Sequence, residues 1–328
     1  MRRRDLLVLG SAAFAYPSVA FAQMPDRVRR VGVLATFEAG DPQGEILIER
    51  LRSGLKTYGW TEGNNLHIEL RYTGPNPARL EPLAAELARA SVELIVTHGT
   101  PAAYAMKKAA ANLPIVLATV GDPVGAGLAE SLARPGGNIT GFSLIASDLS
   151  RKRLEILKEA VPRASRVALL SNPRNASLVL QVKEAEAAAQ IIGLELQLLP
   201  VQDVRDLEPS IKAAAEGRAN AIITTSDNIQ VIQRAQIVNL AMGYQIPVIA
   251  EYREIAEAGA LLSYGPSRQD SWLRAAAYVD KILDGAKAAD LPIEQPSKFE
   301  LVINLKSARN LSLEISPYLL SRADEVIE

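Results

Sequence analysis

From residue 23 onward the chain alternates short apolar runs with stripes of helical spacing, and no other feature restricts its fold so strongly. Val31–Ala35 reads as a buried strand, and Leu47, Leu51, Leu55 and Tyr58 then fall on one helical face that Gly59 ends. Leu66, Ile68, Leu70 and Tyr72 alternate like a strand, and Leu80, Leu83, Ala84, Leu87 and Ala88 return to helical spacing. Leu94–Thr97 and Ile115–Thr119 are two further β-type runs, separated by an Ala-rich helix near Pro101–Ala111. A second series starts near residue 149. Leu154, Leu157 and Val161 form a helical stripe, Val167–Leu170 reads as a strand, and Leu178, Val182, Ala185, Ala189 and Ile192 make a long amphipathic helix that Gly193 closes. Strands at Leu194–Leu199, Ala221–Thr225 and Pro247–Ala250 follow. Such alternation predicts parallel sheets covered on both faces. Two series of about a hundred residues each predict two similar α/β lobes of ordinary domain size. The tail holds a strand at Ala260–Tyr264, a helix bearing Trp272, Ala275, Ala276, Val279 and Leu283 on one face, and a strand at Phe299–Ile303. Segments left over after two lobes are expected where a chain recrosses between them.

Composition narrows the chemistry. The 328 residues include no cysteine, which excludes disulfides, thiolate nucleophiles and a lipid-carrying cysteine. Two histidines, His67 and His98, leave little material for a zinc site. The formal net charge is −1, with neither a basic footprint for nucleic acid nor a polybasic membrane patch. The amino terminus reads as an export signal: Arg2-Arg3-Arg4, an apolar stretch from Leu6 to Val19, and Ala20-Phe21-Ala22 as a small-x-small cleavage pattern. Residues 1–22 are therefore expected to be removed, giving a mature start at Gln23 and a periplasmic location. Arg3-Arg4-Asp5-Leu6-Leu7 also resembles a twin-arginine signal, so the export route stays open.

In open parallel sheets, ligands bind beyond the carboxyl ends of the strands. In the first series those ends carry Thr36, Phe37, His98, Gly99, Thr100, Gly121 and Asp122. In the second they carry Asn172, Ser226, Asp227, Asn228, Glu251 and Tyr252. The set is rich in hydroxyls, glycines and amides, which suits a small polar ligand, and helix N-termini there favour an anionic group. Each residue also has a plainer reading. Thr100, Asp122 and Asp227 are good caps for the helices that follow, and Gly99-Thr100-Pro101 fits an N-cap followed by proline at N1. His98 suits a ligand contact or a structural hydrogen bond equally. Phe37 and Tyr252, one per lobe, suit a clamp on an apolar ligand moiety or ordinary packing. Glu251 and Asp227 suit a ligand ammonium or solvated loop positions. The argument for a site rests on the clustering over six strand ends.

Enzyme motifs are missing: no Walker A pattern, no G-x-S-x-G and no H-E-x-x-H, and Gly125-Ala126-Gly127 lacks the third glycine of a dinucleotide fingerprint. The stretch Gly121-Asp122-Pro123-Val124-Gly125-Ala126-Gly127-Leu128, continuing to Arg134-Pro135-Gly136-Gly137-Asn138-Ile139-Thr140-Gly141, resembles a signature of ABC transporter substrate-binding proteins related to tryptophan- and tyrosine-binding components. Gly54-Leu55 through Gly59-Trp60, Gly99-Thr100-Pro101-Ala102-Ala103, Thr225-Ser226-Asp227-Asn228 and the tail Ala323-Asp324-Glu325-Val326-Ile327 resemble the same family.

The resemblance implies a type I periplasmic-binding-protein fold, α/β, with two Rossmann-like lobes of parallel strands joined by a three-segment hinge. It implies lobes of residues 23–141 with 264–298, and 142–263 with 299–328. The crossings are expected near Gly141–Ser143, Leu262–Tyr264 and Lys298–Leu301. The family's binding loops map onto Thr36, Gly99, Thr100, Asp122, Asp227 and Asn228, and an acidic residue at Asp227 is a natural partner for an α-amino group. Partners implied are a small-molecule ligand and an ABC permease in the inner membrane, with the protein a monomer, no nucleic acid and no cofactor. Ala250-Glu251-Tyr252 matches no amino-acid-binding pattern, which leaves an aromatic amino acid, an aromatic acid or another small carboxylate open as ligand. Two other readings compete: a ligand-sensing module for a membrane receptor, and a secreted α/β enzyme.

Overall fold

The computed structural model describes residues 27–74, 76–144 and 147–328. The expected export signal at residues 1–22 lies outside them. Strand β1 (Arg29–Ala35) leads to α1 (Pro42–Thr57), where Pro42 occupies the first turn and its missing N–H costs no hydrogen bond. Then come β2 (Leu66–Tyr72), α2 (Leu80–Arg89), β3 (Leu94–His98), α3 (Thr100–Ala109), β4 (Ile115–Val120) and β5 (Ile139–Ser143). The second lobe runs through α4 (Ser147–Ala160), β6 (Arg166–Ser171), α5 (Leu178–Ile192), β7 (Glu195–Pro200), α6 (Leu207–Glu216) and β8 (Ala221–Ile223). It continues with α7 (Asn228–Ile232), α8 (Arg234–Gly243), β9 (Val248–Ala250), α9 (Arg253–Glu257) and β10 (Leu262–Pro266). The chain then recrosses into α10 (Arg268–Leu283) and β11 (Ile293–Glu294), and returns through β12 (Phe299–Asn304), α11 (Leu305–Asn310), α12 (Pro317–Ser321) and β13 (Glu325–Ile327).

The first sheet has the order β11-β5-β4-β3-β1-β2, and the second β13-β12-β10-β9-β8-β6-β7. In the first sheet β3, β4 and β5 are buried along their whole length, as expected of parallel strands covered on both faces. Leu47, Leu51 and Leu55 of α1 and Trp272, Ala276 and Val279 of α10 close one face over Val31, Val33, Val96 and Val116. Each large side chain so buried contributes about 1.5–3 kcal/mol. The helix read from Trp272 to Leu283 thus belongs to the first lobe, although it follows a strand of the second.

Two expectations are corrected. The second sheet is not wholly parallel: β12 runs antiparallel to β10, with Leu262 opposite Ile303, because it re-enters from the first lobe in the reverse direction. The crossings also fall later than expected for two of the three passages. Phe142–Ser143 still belongs to β5 of the first sheet, and Tyr264–Pro266 to β10 of the second. The chain changes lobe between Ser143 and Ser147, between Pro266 and Arg268, and between Glu294 and Phe299. Backbone polar groups in a buried strand end find partners in their own sheet, so the lobe change waits for the loops.

Candidate functional site

The carboxyl ends of both sheets face each other across a cavity of about 210 Å³. From the first lobe come Thr36, Thr73, Gly74, Pro77, Leu80 and Pro101. The second lobe contributes Asn172, Arg174, Asn175, Gln202, Asp227, Asn228, Ile229 and Ile232. The first-lobe wall is hydroxyls and apolar side chains; charge comes from the second lobe.

Asp227 is the unusual group. It is only 3% exposed, it precedes α7, and its Oδ1 accepts the Ile229 N–H at 3.0 Å as an N-cap. Its Oδ2 accepts from Asn172 Nδ2 at 3.2 Å and Asn175 Nδ2 at 3.0 Å. All three donors are neutral. Burial pushes its pKa above the ordinary aspartate value, and those donors only partly oppose the shift. Among the described residues no cation pairs with it, so its charge is met by dipoles alone beside the cavity.

Glu251, the other acid named as a possible ammonium partner, is differently placed. Its Oε2 accepts from Arg153 Nη1 at 2.6 Å and Gln181 Nε2 at 2.8 Å, and the side chain is buried. Its charge is therefore already matched by a guanidinium from α4, and it does not line the cavity. Ser226 also turns away, donating to Gln181 Oε1 at 3.1 Å. Tyr252 packs under the Arg268 guanidinium, 5.2 Å from the ring centre, beside Leu144 and Val231. Its ring is buried there and does not line the cavity.

Phe37 and His98 form an aromatic layer behind the cavity with Tyr72 and Trp272, at ring separations of 5.3–6.4 Å. His98 Nε2 accepts the Thr36 backbone N–H at 3.0 Å, which puts the ring proton on Nδ1. Burial first, and the Arg268 charge second, hold its pKa well below the ordinary histidine value, so the ring stays neutral. Its contact holds the Thr36 loop in position. Asp122 caps its own turn, Oδ1 accepting the N–H groups of Val124 and Gly125 at 3.1 and 2.9 Å.

Gly99, Thr100 and Gly121 act between the lobes. Gly99 is the N-cap of α3 at φ +79°, and a Cβ there would run into the Asn228 carboxamide. A Cβ at Gly121 would approach Ser177 Oγ to 3.0 Å. Thr100, expected as the cap, instead begins the helix and donates across the cleft to Ser177 Oγ at 3.0 Å. Ser177 donates to Asn175 Oδ1 at 2.8 Å, so a chain of hydroxyl and amide groups runs from the first lobe to Asp227. Asp41–Arg234 at 2.5 Å and Gln43–Glu257 at 2.6 Å also bridge the lobes. Thr100→Val is expected to weaken ligand binding roughly 2- to 10-fold, the worth of one hydrogen bond made on closure. Calorimetric titration beside thermal unfolding checks this: a lower melting temperature with unchanged affinity would leave Thr100 a local structural role only.

Of the residues expected from sequence, Thr36, Asn172, Asp227 and Asn228 line the cavity. The sequence reading passed over Thr73, Gly74, Pro77 and Leu80, and on the other side Arg174, Asn175 and Gln202. The carboxyl-end rule applied to β2 and β7 would have found Thr73-Gly74 and Gln202, since those edge strands end on the same cleft. Among the described residues no group of three or more His, Asp or Glu side chains could hold a metal ion.

Over residues 33–327 the sequence matches the ABC transporter substrate binding protein family. The chain belongs to that family. The tyrosine-binding protein of Clostridioides difficile (strain R20291) is 25% identical to this binding protein over 260 residues, 79% of this chain and 74% of that one. A conserved domain protein from Vibrio cholerae superposes with a TM-score of 0.85 at 27% identity, covering 92% of this chain and 100% of the other. An ABC domain from Streptococcus pneumoniae in complex with L-Trp superposes at 0.84 with 24% identity, covering 91% and 99%. The architecture of this binding protein is the type I periplasmic-binding-protein fold.

Proposed function

We propose that this substrate-binding protein captures an α-amino acid with an aromatic or bulky apolar side chain and delivers it to an ABC permease. The buried carboxylate of Asp227, paired with no cation among the described residues, carries the reading, because an α-ammonium group supplies the pairing charge it lacks. Pro77, Leu80 and Pro101 opposite, with Ile229 and Ile232, offer an apolar wall for the side chain. The tyrosine-binding relative supports the same ligand class. Ligand shifts an open–closed equilibrium by binding the closed form better, and the three inter-lobe passages are the hinge. With the amino-terminal signal read from the sequence, capture takes place in the periplasm by a monomer, with no catalytic step. Thermal unfolding with L-tyrosine, L-tryptophan and L-phenylalanine against 3-phenylpropionate tests the ligand class. A ligand at about a hundred times its Kd stabilises by about 2.7 kcal/mol. The amino acids are expected to give that stabilisation and the deaminated acid none; equal stabilisation by 3-phenylpropionate would overturn the ammonium contact.

A further inference from the structure

We propose that Arg174 holds the α-carboxylate of the ligand, so that the second lobe by itself reads both charges of a zwitterion before the first lobe closes. This rests on the amino-acid reading above. Asp227 and Arg174 are the charged side chains among those lining the cavity, they are opposite in sign, and both belong to the second lobe. Their positions are coupled. Arg174 sits in a tight turn in which the Asn175 N–H donates to the Asn172 carbonyl and the Arg174 N–H to Asn172 Oδ1, each at 3.0 Å. The side chains of Asn172 and Asn175, flanking Arg174 in that turn, donate to the same Asp227 oxygen. The turn that presents the guanidinium is thus clamped to the carboxylate.

The neighbouring cations are committed elsewhere. Arg234 pairs with Asp41, and Arg268 with Glu254 at 3.3 Å. Arg174 makes no ion pair among the described residues; the nearby Asp203 feels its charge but is tied to Arg205 at 3.0 Å. Among the described residues the first lobe lines the cavity with the Thr36 and Thr73 hydroxyls and apolar groups, and its nearby Arg79 donates to the Thr73 carbonyl at 3.3 Å. A guanidinium presents paired donors that match a carboxylate. Selection then divides in part by lobe: the second reads the charged head, and the first closes Pro77, Leu80 and Pro101 over a side chain that rests on Ile229 and Ile232.

Calorimetric titration of wild type, Arg174→Gln and Arg174→Lys with L-phenylalanine, 2-phenylethylamine and 3-phenylpropionate tests this. Arg174→Gln is expected to weaken L-phenylalanine about 10- to 100-fold, the loss of a charged hydrogen-bonded contact, while leaving 2-phenylethylamine unchanged. Arg174→Lys is expected to recover part of the loss. Equal weakening of the amino acid and the amine, or no weakening of either, would overturn the assignment. A wild-type protein that binds L-phenylalanine no better than 3-phenylpropionate would instead overturn the amino-acid reading itself. Arg174 is exposed, so the variants should unfold at the wild-type temperature.

Discussion

Asp227→Asn is expected to abolish most amino-acid affinity while leaving the protein folded. Removing one partner of a buried, hydrogen-bonded charge pair costs about 2–5 kcal/mol, or roughly 30-fold to several-thousand-fold in Kd. Asparagine caps helices about as well as aspartate, so the turn into α7 keeps its cap. Its Nδ2 would face the Asn172 and Asn175 amide donors that Asp227 Oδ2 accepts, so the unliganded variant is expected to lose some stability, which thermal unfolding reads beside the affinity. The pH dependence of the wild type follows from linkage. With the unliganded pKa raised by burial, the contribution of Asp227 to stability is full below its unfolded pKa and is lost as pH rises through the folded one. A bound ammonium favours the ionised form, so ligand affinity is flat above the raised pKa and weakens as pH falls through it. Titrations across the acid range would check this; a pH-independent Kd in wild type, or a variant that binds normally, would remove Asp227 from the site.

Arg153→Met is expected to be the most damaging substitution for stability. Arg153 and Glu251 are 1% and 0% exposed in their side chains and meet at 2.6 Å. Breaking a buried pair by removing one member costs about 3–5 kcal/mol, because the remaining charge is left in the interior. At about 2–4 °C per kcal/mol for a domain of this size class, the melting temperature should drop by roughly 10 °C. The double variant Arg153→Met/Glu251→Leu should recover most of that loss, since apolar replacement of a buried pair is often neutral or better. It should also keep its amino-acid affinity, because neither Arg153 nor Glu251 lines the cavity. Thermal unfolding of Arg153→Met, Glu251→Leu and the double variant decides it: a double variant as unstable as the sum of the singles would mean that the charges do not act as a pair.

The layout was largely legible because apolar periodicity is a local property. The β3 and β4 runs, the α1 stripe and the Trp272 helix are visible in windows of a few residues, and the carboxyl-end rule then pointed to Thr36, Asn172, Asp227 and Asn228. β5 and β11 were not singled out as strands: Ile139–Ser143 interleaves Thr140 and Gly141 with apolar residues, and Ile293–Glu294 is only two residues long. The direction of β12 was equally hidden, because strand sense depends on the side from which the chain re-enters.

Asp227 and Glu251 show where local reading stops. Both are acids just beyond a parallel strand, and in the sequence nothing separates their roles. Folding brings Arg153, 98 positions away, against Glu251, and among the described residues sets the Asn172 and Asn175 amides and the Ile229 N–H against Asp227. One charge is neutralised in the interior and the other is left facing the cavity. Thr100 follows the same logic: its spacing before Pro101 fits a cap, but its hydroxyl donates instead to Ser177, 77 positions on. The sequence by itself determined which segments form strands and helices and which ends meet at a cleft, since these follow from burial over a few residues. The tertiary structure decided which polar groups remain available to a ligand, because that depends on partners contributed by distant segments.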